Sequence, residues 1–288
     1  MKRATWSLTV VLAAAFLFMA SARDRFGEDF PDVEKESIQK ILTFPNPSAA
    51  KSLAVDNVDG SIHVTAYDGA AVQVEIAKTI RARSRDDAEI AKREVQLTIS
   101  DKDNRLELYV DGPFRCENGG RRERRRFYRV TFDFELKVPR SCDLDLRTIN
   151  NGDIRVEGVN GKYDVENVNG KIRMEEVAGS GRAHTINGGV TVLFSRNPTA
   201  DCSFASLNGD VDVAFRPGLA ADCWFKTFNG GAFTDFEIQP LPQPVSEQER
   251  RDGKFVYKSN RFFGGRIGKG GPQIKFDAFN GNIHVTAR

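Results

Sequence analysis

Val168-Asn169-Gly170-Lys171-Ile172-Arg173-Met174 states a rule that much of the chain repeats: an apolar residue, Asn-Gly, any residue, then apolar residues at alternate positions. The rule returns as Ile186-Asn187-Gly188-Gly189-Val190-Thr191-Val192 and as Leu207-Asn208-Gly209-Asp210-Val211-Asp212-Val213. It closes the chain as Phe279-Asn280-Gly281-Asn282-Ile283-His284-Val285. Val58-Asp59-Gly60-Ser61-Ile62-His63-Val64 is a variant, and Ile149-Asn150-Asn151-Gly152-Asp153-Ile154 carries one extra residue, read as a bulge. Phe228-Asn229-Gly230 keeps the turn, but its apolar phase slips afterwards. Alternation of Val, Ile and Phe with polar residues is strand patterning with one buried face. Asn-Gly is expected to supply the positive φ of a tight corner, since glycine carries no Cβ.

Glycines fall at 152, 161, 170, 179 and 188, nine apart, and then at 209 and 230, 21 apart. Two architectures meet this spacing. In an antiparallel β-meander or sandwich each Asn-Gly is a hairpin turn. In a parallel β-solenoid each is a corner, and two half-turns of nine make a coil of 18, later widened to 21. The residues before the turn recur at the full period: Arg147-Thr148-Ile149, His184-Thr185-Ile186, Ala205-Ser206-Leu207 and Lys226-Thr227-Phe228. Stacking equivalent residues about 4.8 Å apart gives that recurrence a use, so the solenoid is preferred. It predicts an internal column of Ile186, Leu207, Phe228 and Phe279. It also predicts a structural turn ladder of Asn169-Gly170, Asn187-Gly188, Asn208-Gly209, Asn229-Gly230 and Asn280-Gly281. The expected core is Ile154, Val156, Ile172, Val190, Val192, Phe204, Leu207, Val211, Val213, Phe225, Phe228, Phe276, Phe279 and Ile283.

Lys2 and Arg3 precede an apolar run from Leu8 to Ala20, and Ala20-Ser21-Ala22 follows. That is a basic n-region, a short h-region and a small-x-small cleavage site, so residues 1–22 read as a signal peptide. Thirteen residues fall short of the roughly 20 that span a bilayer. An uncleaved N-terminal membrane anchor is the alternative. The whole chain has 42 Lys and Arg against 40 Asp and Glu. Cleavage after Ala22 removes Lys2 and Arg3 and leaves a neutral chain, which gives no reason to expect a nucleic-acid partner. The chain is therefore expected in the periplasm or at the cell surface, with residues 23–48 as a lead segment and 49–288 as one β domain.

Export makes the four cysteines interpretable, because disulfides persist outside the cytosol. Asp201-Cys202-Ser203-Phe204 and Asp222-Cys223-Trp224-Phe225 are matched contexts, so Cys202–Cys223 is the favoured bridge, with two stacked thiols as the alternative. Cys116 and Cys142 remain. No Cys-x-x-Cys occurs and no His lies near a Cys, so no zinc site is expected.

Beyond the repeat, Val72-Gln73-Val74-Glu75-Ile76 and Leu106-Glu107-Leu108-Tyr109-Val110 are strand patterns. Between them Ser84-Arg85-Asp86-Asp87 opens a short helix, with Ser84 as N-cap. Residues 239–272 form an inserted loop, Pro-rich at its start and glycine-rich over 264–272. That glycine-rich stretch lacks the Lys-Ser/Thr ending of a phosphate-binding loop.

Little in the chain points to catalysis. His63 and His284 share one slot of the repeat at opposite ends of the chain, and His184 precedes a turn. The exposed slot after each corner reads His63, Arg155, Arg173, Thr191, Asp212 and His284, mixed in sign and without an acidic cluster. No catalytic residue, metal site or cofactor is assigned. A carbohydrate-active enzyme on a β-helix would require carboxylates converging in one groove. The sharpest charge feature is 115–129, seven Arg against two acids. Arg121, Arg122, Arg124, Arg125 and Arg126 form a candidate patch for an anionic ligand, surface polymer or peripheral membrane contact.

Val-Pro-Arg-x-Cys-x-Leu-x-Leu-Arg-Thr over 138–148, the Asn-Gly coils, Thr234-Asp235-Phe236 and Gly268-Lys269-Gly270-Gly271-Pro272 occur in a fixed order, ahead of Phe276-Asp277-Ala278-Phe279-Asn280-Gly281. In that order they resemble the bacterial DUF4097 family over roughly residues 50–288. The resemblance implies an adhesin-type β-repeat protein of the cell envelope, β-solenoid-like, exported or membrane-tethered, with no catalytic residues to carry over. The expected role is adhesion or scaffolding toward an envelope polymer or protein. An accessory of envelope-stress signalling that binds anionic ligands is the alternative.

Overall fold

Along Val190–Phe194 the side chains of Val190, Val192 and Phe194 are fully buried, while Thr191 and Leu193 are not. The same alternation runs through the repeat region and builds strands with one face in the core. The computed structural model describes residues 30–115, 127–242, 248–251, 254–257 and 262–288. The fold is all-β, with two large mixed sheets of ten and eleven strands and, among the described residues, one α-helix, Arg85–Glu94. Ser84 caps that helix as its sequence predicts: its side chain accepts from the Asp87 N–H at 3.2 Å.

The repeat is organised in tiers. In each, a strand of the eleven-stranded sheet is followed in the chain by a strand of the ten-stranded sheet, and in tiers two to eight the Asn-Gly corner or an equivalent segment joins them. In spatial order, tier one is Arg105–Asp111 with Tyr128–Pro139, and tier two is Ser52–Asp56 with Ile62–Tyr67. Tier three is Asp143–Thr148 with Ile154–Glu157, tier four Tyr163–Asn169 with Ile172–Val177, and tier five Gly181–Asn187 with Val190–Phe194. Tier six is Cys202–Asn208 with Val211–Phe215, and tier seven Gln273–Asn280 with Ile283–Ala287. Tier eight is Ala221–Asn229 with Ala232–Thr234. Neighbouring tiers pair in parallel and in register, for example Asn169↔Asn187↔Asn208 and Ile172↔Val190↔Val211. The Asn-Gly dipeptides are therefore not hairpin turns. Antiparallel strands flank the ends: Val72–Ala82 and Asp32–Leu42 on one sheet, and Gln96–Lys102 and Phe263–Ile267 on the other.

Spatial order departs from chain order at both ends. Tier two precedes tier one in the chain yet lies between it and tier three. Tier seven, the C-terminal strand pair, lies between tiers six and eight.

Glycine is fixed at the corners chiefly by space. A Cβ on Gly152, Gly170, Gly188, Gly209, Gly281 or Gly230 would sit 2.0–2.3 Å from the carbonyl oxygen of the corner glycine one tier away. The expected positive φ holds at Gly188 (+156°) and Gly209 (+154°) but not at Gly170, Gly230 or Gly281, so close approach of backbones is the shared requirement. The extra residue at Asn150-Asn151 is accommodated by Asn151 at φ +53°.

The core is continuous from tier to tier. Phe276 stacks on Phe225 with ring centroids 5.2 Å apart and meets Phe204 at 5.8 Å, and Phe194 stacks on Phe215 at 5.0 Å. Eleven of the fourteen expected core residues are buried. Leu207, Phe279 and Phe228 are not: they are 43%, 41% and 58% exposed, and Ile186 is 39% exposed. The predicted internal column lies on the outside. The residue before it takes the inward position instead, as Thr185 and Ser206 show, at 0% and 3% exposure.

Two further expectations are corrected. Cys202, Cys223 and Cys142 are free buried thiols. Ile274 of tier seven lies in register between Cys202 and Cys223. The two cysteines are thus two strand spacings apart, roughly 9–10 Å, beyond the reach of a disulfide and too far to stack. The glycine-rich segment is not wholly a loop, because Phe263–Ile267 is a strand. There a Cβ on Gly264 would lie 2.6 Å from the Trp224 ring and one on Gly265 would lie 2.1 Å from Ile238. The turn proper is at Gly268 and Gly270, both at positive φ.

Candidate functional surface at the asparagine corner

The corner inverts the usual rule of apolar inside and polar outside. The inward Thr148, Asn167, Thr185, Ser206 and Thr227 each donate to the carbonyl of a corner glycine one tier away, at 2.7–3.1 Å. Those carbonyls face inward, so a short polar side chain serves there better than an apolar one. The strand then turns its next residue out. Val58, Ile149, Val168, Ile186, Leu207, Phe279 and Phe228 follow in register, an apolar stripe across seven tiers. Phe228 and Phe279 stack with centroids 5.0 Å apart and planes 5° from parallel.

Beside the stripe runs the asparagine ladder. Asn169 donates its amide to Asn150, Asn187 to Asn169, Asn208 to Asn187, Asn280 to Asn208 and Asn229 to Asn280, at 2.7–3.0 Å. The glycine partners Gly170, Gly188, Gly209, Gly230 and Gly281 make the backbone contacts described above. The order follows the tiers, so Asn280 stands between Asn208 and Asn229.

On the other side of the stripe the face of the eleven-stranded sheet is charged and internally paired. Arg182 holds Asp164 at 3.0 Å and reaches Glu166. Arg105 holds Asp145 at 2.6 Å, Arg115 holds Asp56 at 2.8 Å, and Lys226 holds Asp277 at 2.8 Å. Arg266 grips Asp222 through two bonds of 2.7 and 2.8 Å, which holds that carboxyl below its ordinary range.

The depressions on the surface offer no reactive constellation among the described residues. One of about 530 Å³ is lined by Ser61, His63, Asp133, Asp153 and Arg155 among others. Its carboxylates are occupied by structure: Asp133 accepts from the Ser61 N–H and hydroxyl, and Asp153 accepts from the Lys171 N–H. His63 bonds Glu135 and His284 bonds Asp212, both at 2.7 Å, with the two histidines on strands separated by four others in the ten-stranded sheet. Another of about 830 Å³ includes Lys162, Tyr163, Arg182, Cys202 and Lys275. Burial pushes the thiols of Cys142 and Cys223 up to about 12 and raises Cys202, so these are protonated side chains without nucleophilic character.

Arg121, Arg122, Arg124, Arg125 and Arg126 lie outside the described residues, as does Cys116. The surface that sequence reasoning missed is the apolar stripe. Its signal was the Thr or Ser that precedes Ile149, Ile186, Leu207 and Phe228, which marks the inward side.

No family model and no curated protein matches the chain. Among solved structures, a "putative cell adhesion protein" from Clostridium sporogenes ATCC 15579 is similar at 9% identity and a TM-score of 0.42, covering 88% of this chain and 100% of that one. A "putative adhesin" from Bacteroides fragilis NCTC 9343 has 10% identity and a TM-score of 0.32, covering 88% and 97%. A "putative lipid binding protein" from Parabacteroides distasonis ATCC 8503 has 11% identity and a TM-score of 0.27, covering 87% and 96%.

Proposed function

We propose that the chain is an exported, non-enzymatic β-solenoid of the cell envelope, of the DUF4097 adhesin type, whose tiers serve as an adhesive or scaffolding surface. The observation that carries this reading is the in-register stack itself. Inward positions are spent on packing and on satisfying corner carbonyls, and outward positions form regular ladders that can vary without cost to the core. Among the described residues, Asp133 and Asp153 accept from backbone N–H groups and Asp164 is paired with Arg182, whereas a glycoside-cleaving site would need carboxylates free to act on a substrate. The basic, apolar, small-x-small leader supplies the route of export.

Cell fractionation with N-terminal sequencing tests the location: a chain beginning at Arg23 in the envelope or secreted fraction is expected, and an uncleaved chain in the cytosol overturns the reading. Incubation of the purified chain with isolated envelope material tests the role. Binding without release of sugar or peptide fragments is expected, and cleavage of envelope glycan overturns it.

A further inference from the structure

We propose that the outer face of the eleven-stranded sheet is a self-complementary interface that joins two copies of this chain about a twofold axis at Ile186, directed along the strands. The argument rests on the order of residues across the tiers. The apolar stripe carries Val or Ile in tiers two to five and Leu or Phe in tiers six to eight: Val58, Ile149, Val168, Ile186, Leu207, Phe279, Phe228. A second copy laid against it in reverse order sets Val58 opposite Phe228, Ile149 opposite Phe279, Val168 opposite Leu207 and Ile186 opposite itself. A Val or Ile meets a Leu or Phe at every step but the axis, where Ile186 meets itself, the complementary fit that two facing sheets need to pack.

The charges obey the same reversal. Two positions before the stripe, the column reads Asp56, Arg147, Glu166, His184, Ala205, Asp277, Lys226. Reversed upon itself it places Asp56 against Lys226 and Arg147 against Asp277. Two positions further back the column reads Ala54, Asp145, Asp164, Arg182, Ser203, Lys275, Trp224, and reversal sets Asp145 against Lys275. Opposite charges therefore meet at three independent positions of each protomer. Arg182 faces its own copy at the axis, where each guanidinium already holds Asp164 and Glu166. Such an arrangement is isologous: every contact occurs twice and the assembly closes at two chains. Ile149, Ile186, Leu207 and Phe279, 38–43% exposed in the single chain, become the centre of the interface. This inference stands apart from the envelope role, since it concerns how the chain associates and not what it binds.

Arg147 and Asp277 provide the test. Within one chain their strands are separated by the Tyr163, Gly181 and Cys202 strands, which puts them roughly 19 Å apart. No intrachain contact can couple them. Sedimentation velocity of the chain without its leader, from about 1 to about 100 µM, is expected to show a dimer. Arg147→Asp and Asp277→Arg, each alone, set like charges against each other twice and raise the dimer dissociation constant by about tenfold or more. Mixing the two variants restores the dimer, because both cross-copy contacts of the heterodimer are then of opposite sign. Ile186→Glu, outward-facing and verified as folded by circular dichroism, is expected to be monomeric. A wild-type chain that stays monomeric over this range overturns the proposal and leaves the face to a different partner. So does a dimer indifferent to Ile186→Glu, or a mixture that fails to reassociate.

Discussion

The hydroxyl of Thr185 donates to the carbonyl oxygen of Gly170, 2.8 Å away in the adjacent tier, and its side chain is fully buried. One residue later Ile186 is 39% exposed. The pair places a hydrogen bond inside the corner and a hydrocarbon outside it. Thr185→Val keeps shape and adds hydrophobicity, yet it is expected to destabilise by about 1–3 kcal/mol, because it takes the donor from the Gly170 carbonyl. Ile186→Ser is expected to change stability by less than about 0.5 kcal/mol. Urea unfolding at sub-micromolar protein, below the association proposed above, checks both. Equal effects from the two substitutions would contradict the inverted corner.

Two tiers use this device imperfectly. Asn167 donates to the Gly152 carbonyl at 2.9 Å, but its own Oδ1 is buried without a partner. Thr at that position retains the donor and removes the orphaned acceptor, so Asn167→Thr is expected to stabilise by about 1 kcal/mol. In tier seven the equivalent residue is Ala278, in register with Ser206 and Thr227. Ala278→Ser supplies a hydroxyl toward the Gly209 carbonyl, for a gain of about 0.5–1.5 kcal/mol. A rise in Tm for each variant is the expected readout.

Phenylalanines of the same strand pair differ in what they support. Phe276 is fully buried between Phe204 and Phe225, whereas Phe228 is 58% exposed. Phe276→Ala is expected to cost about 3–5 kcal/mol in a denaturant titration. Phe228→Ala, in monomeric protein, should cost less than about 1 kcal/mol, since it is 58% exposed and stacks on the partly exposed Phe279.

Cys142, Cys202 and Cys223 should resist a thiol reagent at pH 8 in the native protein and react at once in denaturant. Burial raises the folded-state values, to about 12 for Cys142 and Cys223, while the unfolded thiols titrate near their ordinary value of 9.0. Between those values the unfolded state binds fewer protons than the native state, so stability falls as pH rises from about 9 toward 12. Melting temperatures across that range should decline. A flat profile would mean that the thiols are not buried as described.

The period of the repeat and the parallel stacking were legible because both follow from spacing: alternation assigns one face to the core, and recurrence of Asn-Gly assigns register. The Ser84 helix cap was legible for the same local reason. What the sequence concealed depends on partners far along the chain. Thr185 reads as outward only until the Gly170 carbonyl behind it is seen, and Leu207, Phe228 and Phe279 change sides with it. The match between the Cys202 and Cys223 contexts was real, but it reflects equivalent positions in tiers six and eight. No local signal shows that Ile274 comes between them.

That insertion governs how the protein can be assembled and dismantled. The strands Gln273–Asn280 and Ile283–Ala287 are wedged between two strand pairs that precede them in the chain, and bond to both. An ordinary array sheds its final unit and keeps the rest. Here, losing the strands Gln273–Asn280 and Ile283–Ala287 would open a slot inside the molecule and sever the Phe225 strand from the body. Tier seven therefore cannot peel away as an outer layer, and tier eight cannot dock on the stack until tier seven is in place.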